Sequence, residues 1–196
     1  MIPIRMAVGA ATLCLMAGAA GCAASPGPYV VPAPPQARAV LPIAPPRTTS
    51  PSSEIESRLL AAHNAERARV GVRPLRWADS LEAEARVWAR TLIDSNRFEH
   101  DPAAHGHGEN LWMGWGGRQF TPEDMIGDWT AEKANYRHAP FPNVSRTPNW
   151  SDVGHYTQLV WRDTTHVGCA VETRGDRSVL ACRYAPPGNI DGRMAY

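Results

Sequence analysis

The sequence predicts an α+β domain in which helices come first and strands last. Three observations carry this: apolar residues at three- and four-residue steps between positions 54 and 136, β-branched and aromatic runs over 156–184, and a glycine-led turn between the last two runs. Pro51-Ser52-Ser53-Glu54 offers a cap ahead of Ile55, Leu59, Leu60, Ala62 and Ala65, and Gly71 ends the first helix. Asp79-Ser80-Leu81-Glu82 has the form of a capping box. Leu81, Ala85, Trp88, Ala89 and Leu92 follow on one helical face, so a second helix runs to about Ser95. Asn96 to Gln119 carries eight glycines, prolines or asparagines and three histidines, and it reads as a long loop of the kind that binds something. Thr121-Pro122-Glu123-Asp124 supplies an N-cap, a first-turn proline and early acid for a third helix toward Tyr136.

After a second loop from Arg137 to Gly154, strands are expected over Tyr156–Trp161, His166–Thr173 and Ser178–Tyr184. Arg174-Gly175-Asp176-Arg177 suits a type II′ hairpin turn with Gly175 at its first central position. Centring the turn between Gly175 and Asp176 places Cys169 opposite Cys182 in a non-hydrogen-bonded pair, with Cα atoms about 4.5 Å apart. That separation lies at the short end of disulfide geometry, and in an exported protein the two should be joined.

The 196 residues allow one globular domain plus an appendage. The appendage is N-terminal. Nine of the 18 prolines fall between Pro26 and Pro51, which separates residues 1–22, 23–53 and 54–196. Arg5 precedes an apolar run from Met6 to Gly21, shorter than the roughly 20 residues a membrane-spanning helix needs, so residues 1–22 read as an export signal. Its end, Ala19-Ala20-Gly21-Cys22, resembles the lipobox of bacterial lipoproteins, in which Cys22 is acylated and anchors the protein to a membrane. Ordinary cleavage near Ala20 or Ala24 is the rival. Residues 23–53 should form a semi-rigid polyproline spacer, able at about 3.1 Å per residue to hold the domain on the order of 90 Å from an anchor. Twenty Lys+Arg against 19 Asp+Glu give no basic surplus, which argues against nucleic acid as a partner.

Gly154-His155-Tyr156-Thr157-Gln158-Leu159-Val160-Trp161, Val167-Gly168-Cys169-Ala170 and Cys182-Arg183-Tyr184-Ala185-Pro186-Pro187-Gly188-Asn189-Ile190 together resemble the signature of the CAP (SCP) superfamily, which has many bacterial members. Ala62-His63-Asn64, Leu75-Arg76-Trp77, Gly108-Glu109-Asn110-Leu111 and Trp129-Thr130-Ala131-Glu132 match further blocks in the same order. The resemblance implies a three-layer α-β-α sandwich around a central antiparallel sheet. It also implies a cleft in which His100, Glu109, Glu132 and His155 gather. Two imidazoles and two carboxylates suit a divalent cation such as Zn²⁺ or Mg²⁺. His105 and His107 stand nearer Glu109 in sequence and are alternatives to His100, whereas His63, Asn64 and Arg67 read as structural. Trp112 and Trp115 are candidates to line a groove.

Three functions compete on this reading: an exported binding module holding a metal or a small lipid, a hydrolase built on the His/Glu set, and an envelope protein that uses its spacer to reach a protein partner. Gly-X-Ser-X-Gly and His-Glu-X-X-His are both missing, and no cysteine lies outside the expected disulfide, the anchor and the signal, which ranks binding above catalysis.

Overall fold

The computed structural model of the protein describes residues 53–196 apart from 105 and 118. The expected signal segment, Cys22, residues 23–52 of the spacer and His105 lie outside the described residues. Helix α1 (Glu54–Arg69) starts on a reciprocal cap: Ser53 Oγ accepts from the Glu56 amide at 3.2 Å, and Glu56 Oε2 accepts from the Ser53 amide at 3.0 Å. Strand β1 (Arg76–Trp77) leads into α2 (Asp79–Ser95). The expected capping box does not form there. Ala78 is the N-cap without a side-chain bond, and Glu82 instead takes the Trp77 indole N–H at 3.2 Å and Arg86.

Strand β2 (Gly108–Gly114) lies inside the stretch expected to be all loop. Its glycines hide it from a propensity reading, but both are steric requirements. A Cβ on Gly108 would sit 2.2 Å from Gln158 Oε1, and one on Gly114 would sit 2.3 Å from the Trp112 ring. Helix α3 (Pro122–Ala131) opens with a Thr121/Asp124 capping box and Pro122 in its first turn. It stops earlier than expected, and a 3₁₀ turn carries Glu132–Asn135. A second 3₁₀ turn (Trp150–Val153) precedes α4 (Gly154–Leu159), which replaces the strand expected over Tyr156–Trp161. Every residue from Tyr156 to Trp161 is buried, so neither period shows in the run and its β-branched content misleads.

Strands β3 (His166–Arg174) and β4 (Arg177–Ala185) form the predicted hairpin, with Arg174 facing Arg177 and Cys169 facing Cys182. Gly175 has φ +61° while Asp176 is not among the positive-φ residues, as a type II′ turn requires. The two cysteines are bonded, their Cα atoms 4.1 Å apart. The sheet order is β1-β3-β4-β2. It is mixed, because β1 runs parallel to β3 while the other pairs are antiparallel.

Alternation along β4 builds the three layers. Val179 and Ala181 pack with Ala85, Ala89, Leu92 and Ile93 of α2, while Leu180, Cys182 and Tyr184 join Leu59 of α1, Trp129 of α3 and Leu159 of α4. Helix α2 meets the sheet at backbone distance: a Cβ on Gly168 would lie 2.2 Å from the Glu82 nitrogen. Trp112, expected to line a groove, is in the core at 8% exposure and donates to Asp128 Oδ2 at 2.7 Å; Trp115 is 62% exposed. Among the described residues no helix is long and apolar enough to cross a membrane.

Candidate functional site

The site lies where the loop after α2, the edge strand β2, the end of α3 and the start of α4 meet. His100 precedes the tight turn before β2, and Glu109 is the second residue of that strand, paired in register with Arg183 of β4. His155 is the second residue of α4 and not, as expected, the lead-in to a strand. Glu132 caps the C-terminus of α3. These four residues thus form two His–carboxylate pairs at one end of the sheet.

In one pair His100 Nδ1 meets Glu109 Oε1 at 2.5 Å, and the Asp101 amide donates to the same oxygen at 3.2 Å. Glu109 Oε2 lies 2.8 Å from Arg183 Nη1, an ion contact too oblique to count as a hydrogen bond. Arg183 Nη2 binds Asp101 Oδ2 at 2.5 Å. Arg183 is 1% exposed. In the other pair His155 Nδ1 meets Glu132 Oε1 at 2.6 Å, Glu132 Oε2 accepts from the Tyr156 amide at 3.0 Å, and the imidazole stacks on the Trp129 ring at 5.8 Å. Each carboxylate therefore uses both oxygens within the protein. Each imidazole spends Nδ1 on a carboxylate, which places the N–H there and leaves Nε2 as the acceptor nitrogen of the neutral ring. The Glu109 hydrogen bond raises the His100 pKa by favouring the charged ring.

Between the pairs is a cavity of about 190 Å³ lined by His100, Glu109, Asn110, Trp150, Ser151 and His155, among others. Glu132 is not in its lining and stands behind His155. His107, a candidate alternative ligand, points away: its Nδ1 binds Glu84 of α2 at 2.8 Å. Among the described residues, the side chains that bring three ligand atoms within 4.8 Å of one another are His63, Cys169 and Cys182, whose two sulfurs are consumed in the disulfide; no three of His100, Glu109, Glu132 and His155 close to that distance. His63 is structural, as expected. It is fully buried, its Nδ1 donates to the Leu59 carbonyl at 2.7 Å, and its Nε2 accepts from Tyr184 Oη at 2.8 Å. Tyr184 Oη in turn accepts from Asn110 Nδ2 at 3.3 Å, and that amide also holds the His155 carbonyl at 3.0 Å. A buried polar chain thus links α1 to the site.

Sequence reasoning missed Arg183, Asp101, Asn110 and Trp150. The first three were recoverable only with β2 in register against β4, since that pairing places Glu109 beside Arg183. Trp150 carried no periodic signal.

A three-layer sandwich with paired His–carboxylate side chains at one end of its sheet defines the class of protein. The family described as "CAP: Cysteine-rich secretory protein family" matches residues 60–184, and the chain belongs to it. Pathogenesis-related protein 1C of Nicotiana tabacum is 40% identical over 140 residues, 70% of this chain and 78% of that protein. A pathogenesis-related protein of PR-1 type from Sambucus nigra is 37% identical over 138 residues, 69% of this chain and 78% of that one. Among solved structures, NaASP2 with Zn²⁺ superposes with a TM-score of 0.64 at 24% identity, covering 76% of this chain and 90% of its own. Hookworm platelet inhibitor superposes at 0.59 and 18% identity, covering 76% and 79%. These two likenesses concern the fold.

Proposed function

We propose that the protein is an exported binding module whose cleft holds one divalent cation, with zinc the best fit. The observation that carries this is the orientation of the two imidazoles. Both Nδ1 atoms are committed to carboxylates, and both rings border one small cavity. Carboxylate–imidazole pairs of this kind orient metal-binding histidines and raise their basicity. In this proposal His100 and His155 supply the ligand nitrogens, while Glu109 and Glu132 orient them. Of the four ligands expected from sequence, two become ligands and two become orienting groups. Water or a ligand oxygen completes the coordination shell, which makes the bound ion a recognition element. Export accords with the buried disulfide, which oxidising compartments favour.

Calorimetric titration with Zn²⁺ tests the metal reading. His155→Ala or His100→Ala should weaken binding at least 100-fold, and Glu132→Gln roughly 10- to 100-fold by freeing the ring. His107→Ala should leave affinity unchanged. Equal affinity in the wild type and both histidine variants would show that the four side chains only pin loops.

A groove of about 390 Å³ between α1 and α3 supports a small lipid as a second ligand. Ala62, Ala65, Ile126 and Gly127 line it, and a Cβ on Gly127 would meet nothing. Arg69 and Lys133, both paired with Glu66, stand at its edge where an acyl carboxylate could be received. Filling the groove by Gly127→Leu should abolish retention of a radiolabelled C16 fatty acid while Zn²⁺ affinity stays unchanged. Undiminished retention would remove this site.

A further inference from the structure

Beyond the imidazole cleft the same face continues across Trp150 into a second cavity of about 400 Å³, lined by Arg137, Asn143, Ser145, Arg146, Thr147 and Trp150 with two prolines. Trp150 belongs to the lining of both cavities, so its indole is the wall they share. That ring is fixed yet open. It packs edge-on against Phe141 at 5.0 Å, and a Cβ on Gly154 would lie 3.0 Å from it, while 45% of the residue stays exposed.

Beside it are two guanidinium groups held in place by carbonyl oxygens. The pairing of Tyr136 with Ser145 brings their segments together, with the Arg137 amide on the Val144 carbonyl at 2.7 Å and the Arg146 amide on the Asn135 carbonyl at 2.8 Å. Arg137 Nε and Nη2 donate to the Asn143 carbonyl at 3.0 and 2.8 Å, and Arg146 Nε donates to the Tyr136 carbonyl at 3.1 Å. No carboxylate among the described residues pairs with either arginine, although most other arginines of the domain have one. Among the described residues no acceptor meets Arg137 Nη1 or either terminal nitrogen of Arg146, and both arginines line the cavity.

Preorganised guanidiniums without an acidic partner are receptors for a carboxylate or sulfate, and a fixed exposed indole is a platform for a flat apolar face. Both demands are met by one kind of molecule. A pyranose presents C–H groups on one face, hydroxyls at its edge and, in a uronic or sulfated sugar, an anion. The Asn143 side-chain amide and the Ser151 hydroxyl, with no partners among the described residues, would meet the hydroxyls. We propose that the surface around Trp150 binds an acidic saccharide, with a sugar ring on the indole and its carboxylate or sulfate on Arg137 and Arg146. This site uses none of the residues assigned to the metal.

The test is calorimetric titration of the chelator-treated protein with two probes, trigalacturonic acid and a sulfated chondroitin disaccharide, against neutral galactotriose and sodium sulfate. At least one acidic probe should bind saturably, tenfold or more tighter than galactotriose or sulfate, and weaken as salt is raised. Trp150→Ala and the exposed double reversal Arg137→Glu/Arg146→Glu should each cost tenfold or more, with melting temperatures checked in parallel. Trp150→Phe should retain most of the affinity, which guards against misreading a local collapse in the alanine variant. His107→Ala, whose ring is held by Glu84 of α2 and lines neither cavity, should bind the probe as the wild type does. Failure of both acidic probes to bind overturns the proposal. So does equal binding of galactotriose, equal binding of sulfate, or affinity indifferent to Trp150→Ala.

Discussion

Arg67→Met is expected to lower the unfolding free energy by about 3–5 kcal/mol, the range for uncovering buried polar groups around a lost charge. Arg67 is fully buried on α1 and meets no carboxylate in the contacts that fix it. Its guanidinium instead binds four carbonyls: Arg73 at 2.8 Å, Leu159 at 2.9 Å, Trp161 at 2.9 Å and Thr164 at 3.0 Å. Three of these lie at or just past the end of α4, where helix carbonyls have no internal partner. One side chain therefore closes the end of the helix that carries His155 and ties it to α1. Burial pushes the Arg67 pKa down to about 10, so it stays charged at neutral pH and its charge is balanced by those carbonyl dipoles. Arg67→Lys should restore little, because an ammonium on a flexible stem cannot span four acceptors arranged for a planar fork. Urea unfolding of the full chain is the measurement. A loss below about 1 kcal/mol would mean that water replaces the guanidinium, and the carbonyls do not depend on it.

Such a buried arginine shows how far the sequence could be read. Arg67 and His63 could be recognised as structural because they follow the apolar face of α1, and the hairpin register placed Cys169 on Cys182 from turn chemistry alone. Period and turn residues suffice where one face is wet. They fail where an element is buried all round, as in α4, or where steric crowding demands glycine, as at both ends of β2. The His–Glu constellation itself was legible only through family resemblance, since no two of its members share a helical turn. Its inner arrangement was not legible at all. Arg183 reaches Glu109 only through the β2–β4 pairing, and Trp150 reaches the cleft through a 3₁₀ turn with no sequence period.

The stability of the domain should fall as the solution is acidified from about pH 6.5 to about pH 4, with His63 responsible for up to about 3 kcal/mol of the loss. Burial holds the folded-state pKa of His63 down to about 4, the bond to the Leu59 carbonyl opposing only part of that effect. The unfolded chain has an ordinary imidazole with a pKa of about 6.5. Between these values the unfolded state takes up a proton that the folded state refuses, so acid favours unfolding. The contribution is complete above about pH 6.5 and lost by about pH 4. The hydrogen bonds agree with a neutral ring: Nδ1 donates to a carbonyl, and Nε2 accepts from Tyr184 Oη. A second proton on Nε2 would face that hydroxyl, reverse it, and turn its hydrogen toward the donating Asn110 amide. His100 acts in the opposite sense. Its pKa is raised by Glu109, so its share is present at low pH and lost as pH rises through the folded-state value. Subtraction of a variant is therefore needed to isolate His63. Urea unfolding of the wild type and His63→Gln between pH 7.5 and pH 4 should show two curves that converge as pH falls, with the variant less stable at the top of the range. Parallel curves, or a His63 titration by NMR with a midpoint above pH 6, would mean that the ring is charged in the folded domain and that the buried chain from α1 to His155 is wired differently.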